Sequence, residues 1–82
     1  MSHHKDVLQL ADLRSSRGVT LEEIRDSTKI GMNFLRAIEE GAYHKLPGGI
    51  YDTSYIRQYA QAAGVDESTL LRSYRQYTQA HA

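Results

Sequence analysis

The stretch from Thr20 to Gly41, TLEEIRDSTKIGMNFLRAIEEG, constrains this chain more than any other, because it reads as two short helices meeting at a tight turn. Thr20 is placed as an N-cap. Glu23, three residues on, completes a Thr-x-x-Glu capping box, in which each side chain satisfies a backbone donor that the helix leaves unpaired. Within the first helix Leu21 and Ile24 fall on one side and Glu22, Glu23 and Asp26 on the other, the period of a half-buried helix. Ser27-Thr28-Lys29 disfavours continuation, since Ser and Thr hydroxyls compete for backbone bonds, and Ile30 supplies an apolar anchor between the helices. Gly31 opens the next helix without a side-chain clash. Phe34, Leu35 and Ile38 then form an apolar patch, Ala37 allows close approach, and Gly41 supplies the left-handed conformation that ends helices. The spacing is that of a helix-turn-helix, although a plain αα-hairpin in a small bundle gives a similar pattern.

The flanking sequence predicts three more helices. Asp6 caps a first helix in which Val7, Leu10, Leu13 and Arg14 repeat at helical spacing up to Arg17, with Gly18 as its C′ residue and Val19 placed as a hydrophobic staple. After Gly41, Tyr43 and Leu46 tuck under the core while Pro47-Gly48-Gly49 turns the backbone; no phosphate-cradle motif surrounds the glycine pair. From Ile50 to Ala63 a longer helix carries Ile56, Tyr59, Ala60 and Ala63 on its core face, and Tyr51 and Tyr55, an i, i+4 pair, on a flank rotated away from it. Gly64 ends it, Asp66 caps a last helix from Glu67, and Leu70, Leu71, Tyr74 and Tyr77 form that helix's apolar side, with Arg72 and Arg75 outward. The expectation is an all-α, five-helix bundle over residues 6–77, containing the helix-turn-helix, between a disordered Met1–Lys5 and a frayed Thr78–Ala82.

With 82 residues the chain makes one small domain with a single core. It has no cysteine, so neither a disulfide nor a thiolate metal site staples it, and a cytoplasmic setting is the default. Its apolar runs are far short of the roughly 20 residues that cross a bilayer, so any membrane attachment would come from a segment outside these residues. Ten Lys plus Arg balance ten Asp plus Glu, which counts against strong independent binding to DNA, because phosphate neutralisation drives most nucleic-acid affinity. Neither catalysis nor a cofactor is expected. No nucleophile–base set has interpretable spacing, and His3, His4, His44 and His81 match no metal-ligand pattern.

LADLRSSRGVTLEEI, STKIGMNFLRAIEEG and YHKLPGGIYDTSYIRQYAQAAGVD together resemble the cytoplasmic N-terminal helix-turn-helix domain of the RodZ family of bacterial cell-shape proteins, over roughly residues 7–75. Leu10, Arg14, Gly18, Ile24, Ile38, Glu39 and Gly41 are shared by the wider phage-repressor-like (lambda-repressor-like) superfamily, whereas LPGGIY followed by SYIRQYA is similar to the RodZ family specifically. The resemblance implies a bitopic membrane protein whose cytoplasmic domain binds the actin-like filament protein MreB. Two positions depart from the pattern. Arg25 stands where the superfamily has a small alanine, so its stem must snorkel or the helix must tilt, and Gly31 replaces a Ser or Pro, which weakens the cap and a phosphate contact.

Two surfaces compete for the function. In a DNA reader the start of the second helix of the motif enters the major groove. Here that places Gly31, Met32, Asn33 and Arg36 at the bases, with Asn33 suited to adenine, Arg36 to guanine or phosphate, and Lys29 to phosphate. Gly31 and Met32 bring no side-chain donor, Glu40 and Glu39 follow, and Glu39 is expected to pair internally with Arg14. In an adaptor, the ring-bearing flank of the fourth helix would bind instead. Tyr51 and Tyr55 are the expected anchors, since tyrosine brings large area with few rotatable bonds, and Arg57 and Gln58 are the expected polar rim. The resemblance places the aromatic positions of the filament-binding helix at Tyr51 and Tyr55. The adaptor is the favoured assignment and a transcriptional regulator the alternative.

Overall fold

The computed structural model describes residues 9–80. Five α-helices follow one another: α1 (Leu10–Ser16), α2 (Leu21–Thr28), α3 (Met32–Glu40), α4 (Ile50–Ala63) and α5 (Glu67–Ala80), with a 3-10 turn at Tyr43–Lys45 between α3 and α4. The expectations for Met1–Lys5, Asp6 and Val7 fall outside the described residues. Within them α1 starts later than the periodicity suggests. Gln9 takes a left-handed conformation at φ 54°, which a helix interior does not accommodate, so the helix begins at Leu10.

The capping box forms as spaced: Glu23 N donates to Thr20 Oγ1 at 3.1 Å, and Thr20 N donates to Glu23 Oε1 at 2.9 Å. Thr20→Ala is expected to cost about 1 kcal/mol, lowering Tm by roughly 5 °C in a thermal melt followed by circular dichroism. Ser27 and Thr28 hydroxyls both donate to the Ile24 carbonyl, α2 stops, and Lys29 turns the chain at φ 66°. Ile30 is buried in the angle between α2 and α3 as the anchor of the turn. Arg25 needs neither a snorkelling stem nor a tilted helix, because its position faces solvent, where the guanidinium bonds the neighbouring Asp26.

Ile24, Leu35, Ile38, Ile56, Tyr59 and Leu70 are fully buried and form the centre of the core. Ala60 and Ala63 carry no side chain beyond Cβ, which lets α4 lie close to its neighbours as the central helix. Tyr43 and Leu46 are buried beneath the 3-10 turn, and the Tyr43 ring stands edge-on to Tyr74 and Tyr77 of α5 at centroid distances of 5.5 and 5.6 Å. Asp66 caps α5 through the Thr69 amide and hydroxyl, bonds that hold its carboxyl below the ordinary range. The helix then continues to Ala80, so Thr78 to Ala80 are helical, with the Thr78 hydroxyl donating to the Arg75 carbonyl.

Candidate protein-interaction surface

Three rings form a ladder from the core to solvent. Phe34 on α3 lies 5.6 Å, centroid to centroid, from Tyr55 on α4, and Tyr55 lies 6.2 Å from Tyr51 one turn earlier. Phe34 and Tyr55 are half-buried against the core, whereas Tyr51 is 58 % exposed and its neighbour Ile50 is 82 % exposed. Large apolar side chains are therefore presented to water at the start of α4, beside rings that pack on the core. Isolated exposed apolar residues are ordinary, but Tyr51 extends a row of tilted rings, Phe34 and Tyr55, from the core to the surface.

The four residues assigned to this surface do not all share it. At about 3.6 residues per turn, Gln58 follows Tyr51 and Tyr55 along one stripe, and its amide donates to Ser54 Oγ at 3.1 Å. Arg57 points roughly a third of a turn away, and its guanidinium pairs with Glu67 of α5 at 3.3 Å. Ile50, which was not among the residues singled out, is exposed beside this stripe, about 100° of helix rotation from Tyr51 and nearer to Arg57. Its signal was available, since an apolar residue directly after a Gly-Gly turn sits off the core stripe of Ile56, Tyr59 and Ala63.

On the competing surface Asn33 and Arg36 project outward from α3, and Lys29 is exposed in the turn. Met32 is half-buried and packs on the core, so it does not stand with them. Gly31, the N-cap of α3, offers no side-chain cap, and a Cβ there would meet Asn33 Oδ1 at 2.8 Å.

Two acidic groups, the part-buried Glu39 and the buried Asp52, hold the helices that carry these surfaces. Glu39 on α3 receives both Arg14 Nε and Nη2 from α1, the latter at 3.2 Å, and the Tyr59 hydroxyl from α4 at 2.8 Å. The Glu39 carboxylate raises the Arg14 pKa, and burial followed by the bond to Glu39 pushes the Tyr59 phenol well up. Asp52, only 6 % exposed, accepts from Gly48 N and from the Tyr74 hydroxyl of α5, each at 2.7 Å. Asp52 went unnoticed in the sequence because an acid in the first turn of a helix is commonplace there; its position three residues after the Gly49 N-cap was the signal.

Burial, then the bond to Asp52, pushes the Tyr74 phenol up to about 12, and burial also raises Tyr43, where a bond to Ser73 opposes it. A raised phenol pKa means that the folded state holds its proton more tightly than the unfolded one. The stabilisation is complete below the ordinary phenol value of 10.0 and is lost as pH rises towards about 12. Urea midpoints are therefore expected to fall over that window, and Tyr74→Phe is expected to flatten the fall while lowering the plateau below pH 10.

Two short helices crossing at a tight turn within a five-helix, all-α bundle define the class of this protein: a helix-turn-helix domain of lambda-repressor-like architecture. The chain belongs to the helix-turn-helix domain family, which matches it over residues 9–70. It is 37 % identical over 57 residues to the uncharacterized membrane protein YmfM of Bacillus subtilis, an overlap covering 70 % of this chain and 20 % of that protein. It is 33 % identical over 69 residues to the cytoskeleton protein RodZ of Streptococcus pneumoniae, covering 84 % of this chain and 24 % of that protein. The chain thus spans about a quarter or less of the length of these relatives. No solved structure gives a significant match. Among the described residues no helix is long and apolar enough to cross a membrane, and no group of three or more His, Asp or Glu could hold a metal ion.

Proposed function

We propose that this domain is the adaptor module of a RodZ-like cell-shape protein and binds an actin-like filament protein of the MreB kind through the start of α4. The observation that carries the proposal is the ladder Phe34–Tyr55–Tyr51, which reaches the surface at the start of α4, where Ile50 is exposed too. Rigid rings opening onto solvent provide binding area at small entropic cost, the property of hot-spot anchors. Gln58 supplies a polar edge on the same stripe, while Arg57, engaged by Glu67, is a more distant rim contact. A formal net charge of zero and the uncapped, donor-poor start of α3 support a protein partner over a nucleic acid. The similarity to a cytoskeleton protein and to a membrane protein supports the same assignment, with the domain on the cytoplasmic side and tethered by a segment outside these residues. The test is co-sedimentation of the domain with polymerised MreB-type filaments. The domain is expected in the pellet with saturable binding that Arg36→Ala leaves unchanged; retention in the supernatant at every filament concentration would overturn the proposal.

Transcriptional regulation is the second proposal, because Asn33, Arg36 and Lys29 are exposed and no side chain among the described residues pairs with Arg36 or Lys29. It requires DNA affinity that falls steeply with salt and drops on Arg36→Ala. Absence of a mobility shift with mixed genomic DNA at low ionic strength would remove it.

A further inference from the structure

α1 is attached to the bundle by few groups: like α2 it buries a single apolar side chain, but unlike α2, which adds Leu21, it has no partly buried apolar residue packed on the core. Its seven residues bury one apolar side chain, Leu10, and its other firm attachment is Arg14, bonded to Glu39 and, through Nη1, to the Val19 carbonyl at 3.0 Å. The remaining residues of the helix are exposed, Leu13 included at 41 %, although periodicity places Leu13 on the apolar side. Along the seam where α1 should seal against α5 there is instead an open apolar cleft, lined by Leu10, Leu13, Val65, Asp66, Thr69 and Leu70. Each observation bears on the same contact: one buried residue, one polar clasp and a seam that does not close.

We infer that α1 is a displaceable strap, which lifts and recloses as a unit on a folded body formed by α2 to α5. A helix of two turns has no stability of its own in water, so α1 persists only while Leu10 and Arg14 hold it. The body keeps its own core when the strap lifts, since Ile24, Ile30, Leu35, Ile38, Ile56, Tyr59 and Leu70 all lie outside α1. Lifting uncovers Val65, in the corner between α4 and α5, and Leu70 of α5, both of which share the cleft with Leu10. It also frees Glu39, leaving Tyr59 of α4 as that carboxylate's partner. The state of α1 is thereby coupled to the helix that carries the aromatic ladder, though the strap itself stands whether or not that ladder binds a filament. Local openings of this kind involve elements with few buried contacts and occur without global unfolding.

Native-state hydrogen exchange on the whole chain tests this, with the amides of Leu13 and Val19, bonded to the carbonyls of Gln9 and Arg14, reporting on the strap. Amides in the middle of α4 report on the body. The α1 amides are expected to exchange at least about tenfold faster than those of α4, and with little dependence on added urea, the mark of an opening that exposes little surface. Arg14→Met, which keeps an apolar stem for packing, weakens only the closed state and is expected to raise the α1 and α4 rates together, by about tenfold or more, whereas Ile56→Val, in the body, is expected to raise the α4 rates and leave those of α1 unchanged. Exchange of α1 and α4 at one common rate with the same urea dependence in the unmodified chain would overturn the inference, whatever the variants do.

Discussion

Glu39→Ala is expected to lower the folding free energy by about 3 kcal/mol, read from urea denaturation at neutral pH. The substitution leaves the Arg14 guanidinium and the Tyr59 hydroxyl without their acceptor where water hardly reaches, the two side chains of the ion pair being 14 % and 9 % exposed. Most of the loss is the cost of stranding those donors, not the worth of the pair itself, which desolvation largely offsets. A domain of this length has a total stability of roughly 4–12 kcal/mol, so Tm is expected to fall by about 15 °C. Tyr59→Phe removes one donor and keeps the ion pair, so a smaller loss of about 1 kcal/mol is expected. The double variant is expected to fall short of the sum, because the two residues share one carboxylate. A Glu39→Ala protein within about 0.5 kcal/mol of the parent, the range of an ordinary surface change, would show that water already satisfies these groups.

Tyr51→Ala is expected to weaken filament binding by about thirtyfold in co-sedimentation, the loss typical of an anchor worth about 2 kcal/mol. Its ring is mostly in water, so stability is expected to change by less than about 0.5 kcal/mol, which separates loss of the surface from loss of the fold. Ile50→Ser is expected to act in the same direction with a smaller effect. Tyr55→Ala is expected to reduce both binding and stability, because it also unseats the packing on Phe34. Unchanged affinity in both Tyr51→Ala and Ile50→Ser would move the interface away from the start of α4.

Much of the framework was readable one helical turn at a time. The box between Thr20 and Glu23, the ends of α2 and α3, and the bounds of α4 depend on groups within about four residues of each other. Glycine at positions 41 and 64 takes the left-handed conformation a helix end requires, at φ 71° and 74°. The apolar stripe of α4 was equally legible, since burial follows the helical period when one helix sits at the centre. The pairing of Arg14 with Glu39 was also expected, but Tyr59 as its third member was not, because its hydroxyl reaches Glu39 only once α4 packs across α3.

The candidate surface was less legible for the same reason. Tyr51 and Tyr55 were picked out from their spacing and from the family resemblance, yet whether a ring at a helix flank packs depended on Phe34 arriving from α3. Arg57 and Gln58 are adjacent in the chain, but Glu67 on α5 draws one away while the other stays on the stripe. Met32 turned inward, Leu13 was left outside, and Asp52 became a buried acceptor when α5 brought Tyr74 to it. Sequence by itself determined where α2, α3 and α4 start and stop and which side of α4 is apolar, because those choices are made by neighbours along one chain segment. Tertiary structure alone decided which polar groups are buried together and which apolar ones stay in water, because a side chain's desolvation depends on the element packed against it.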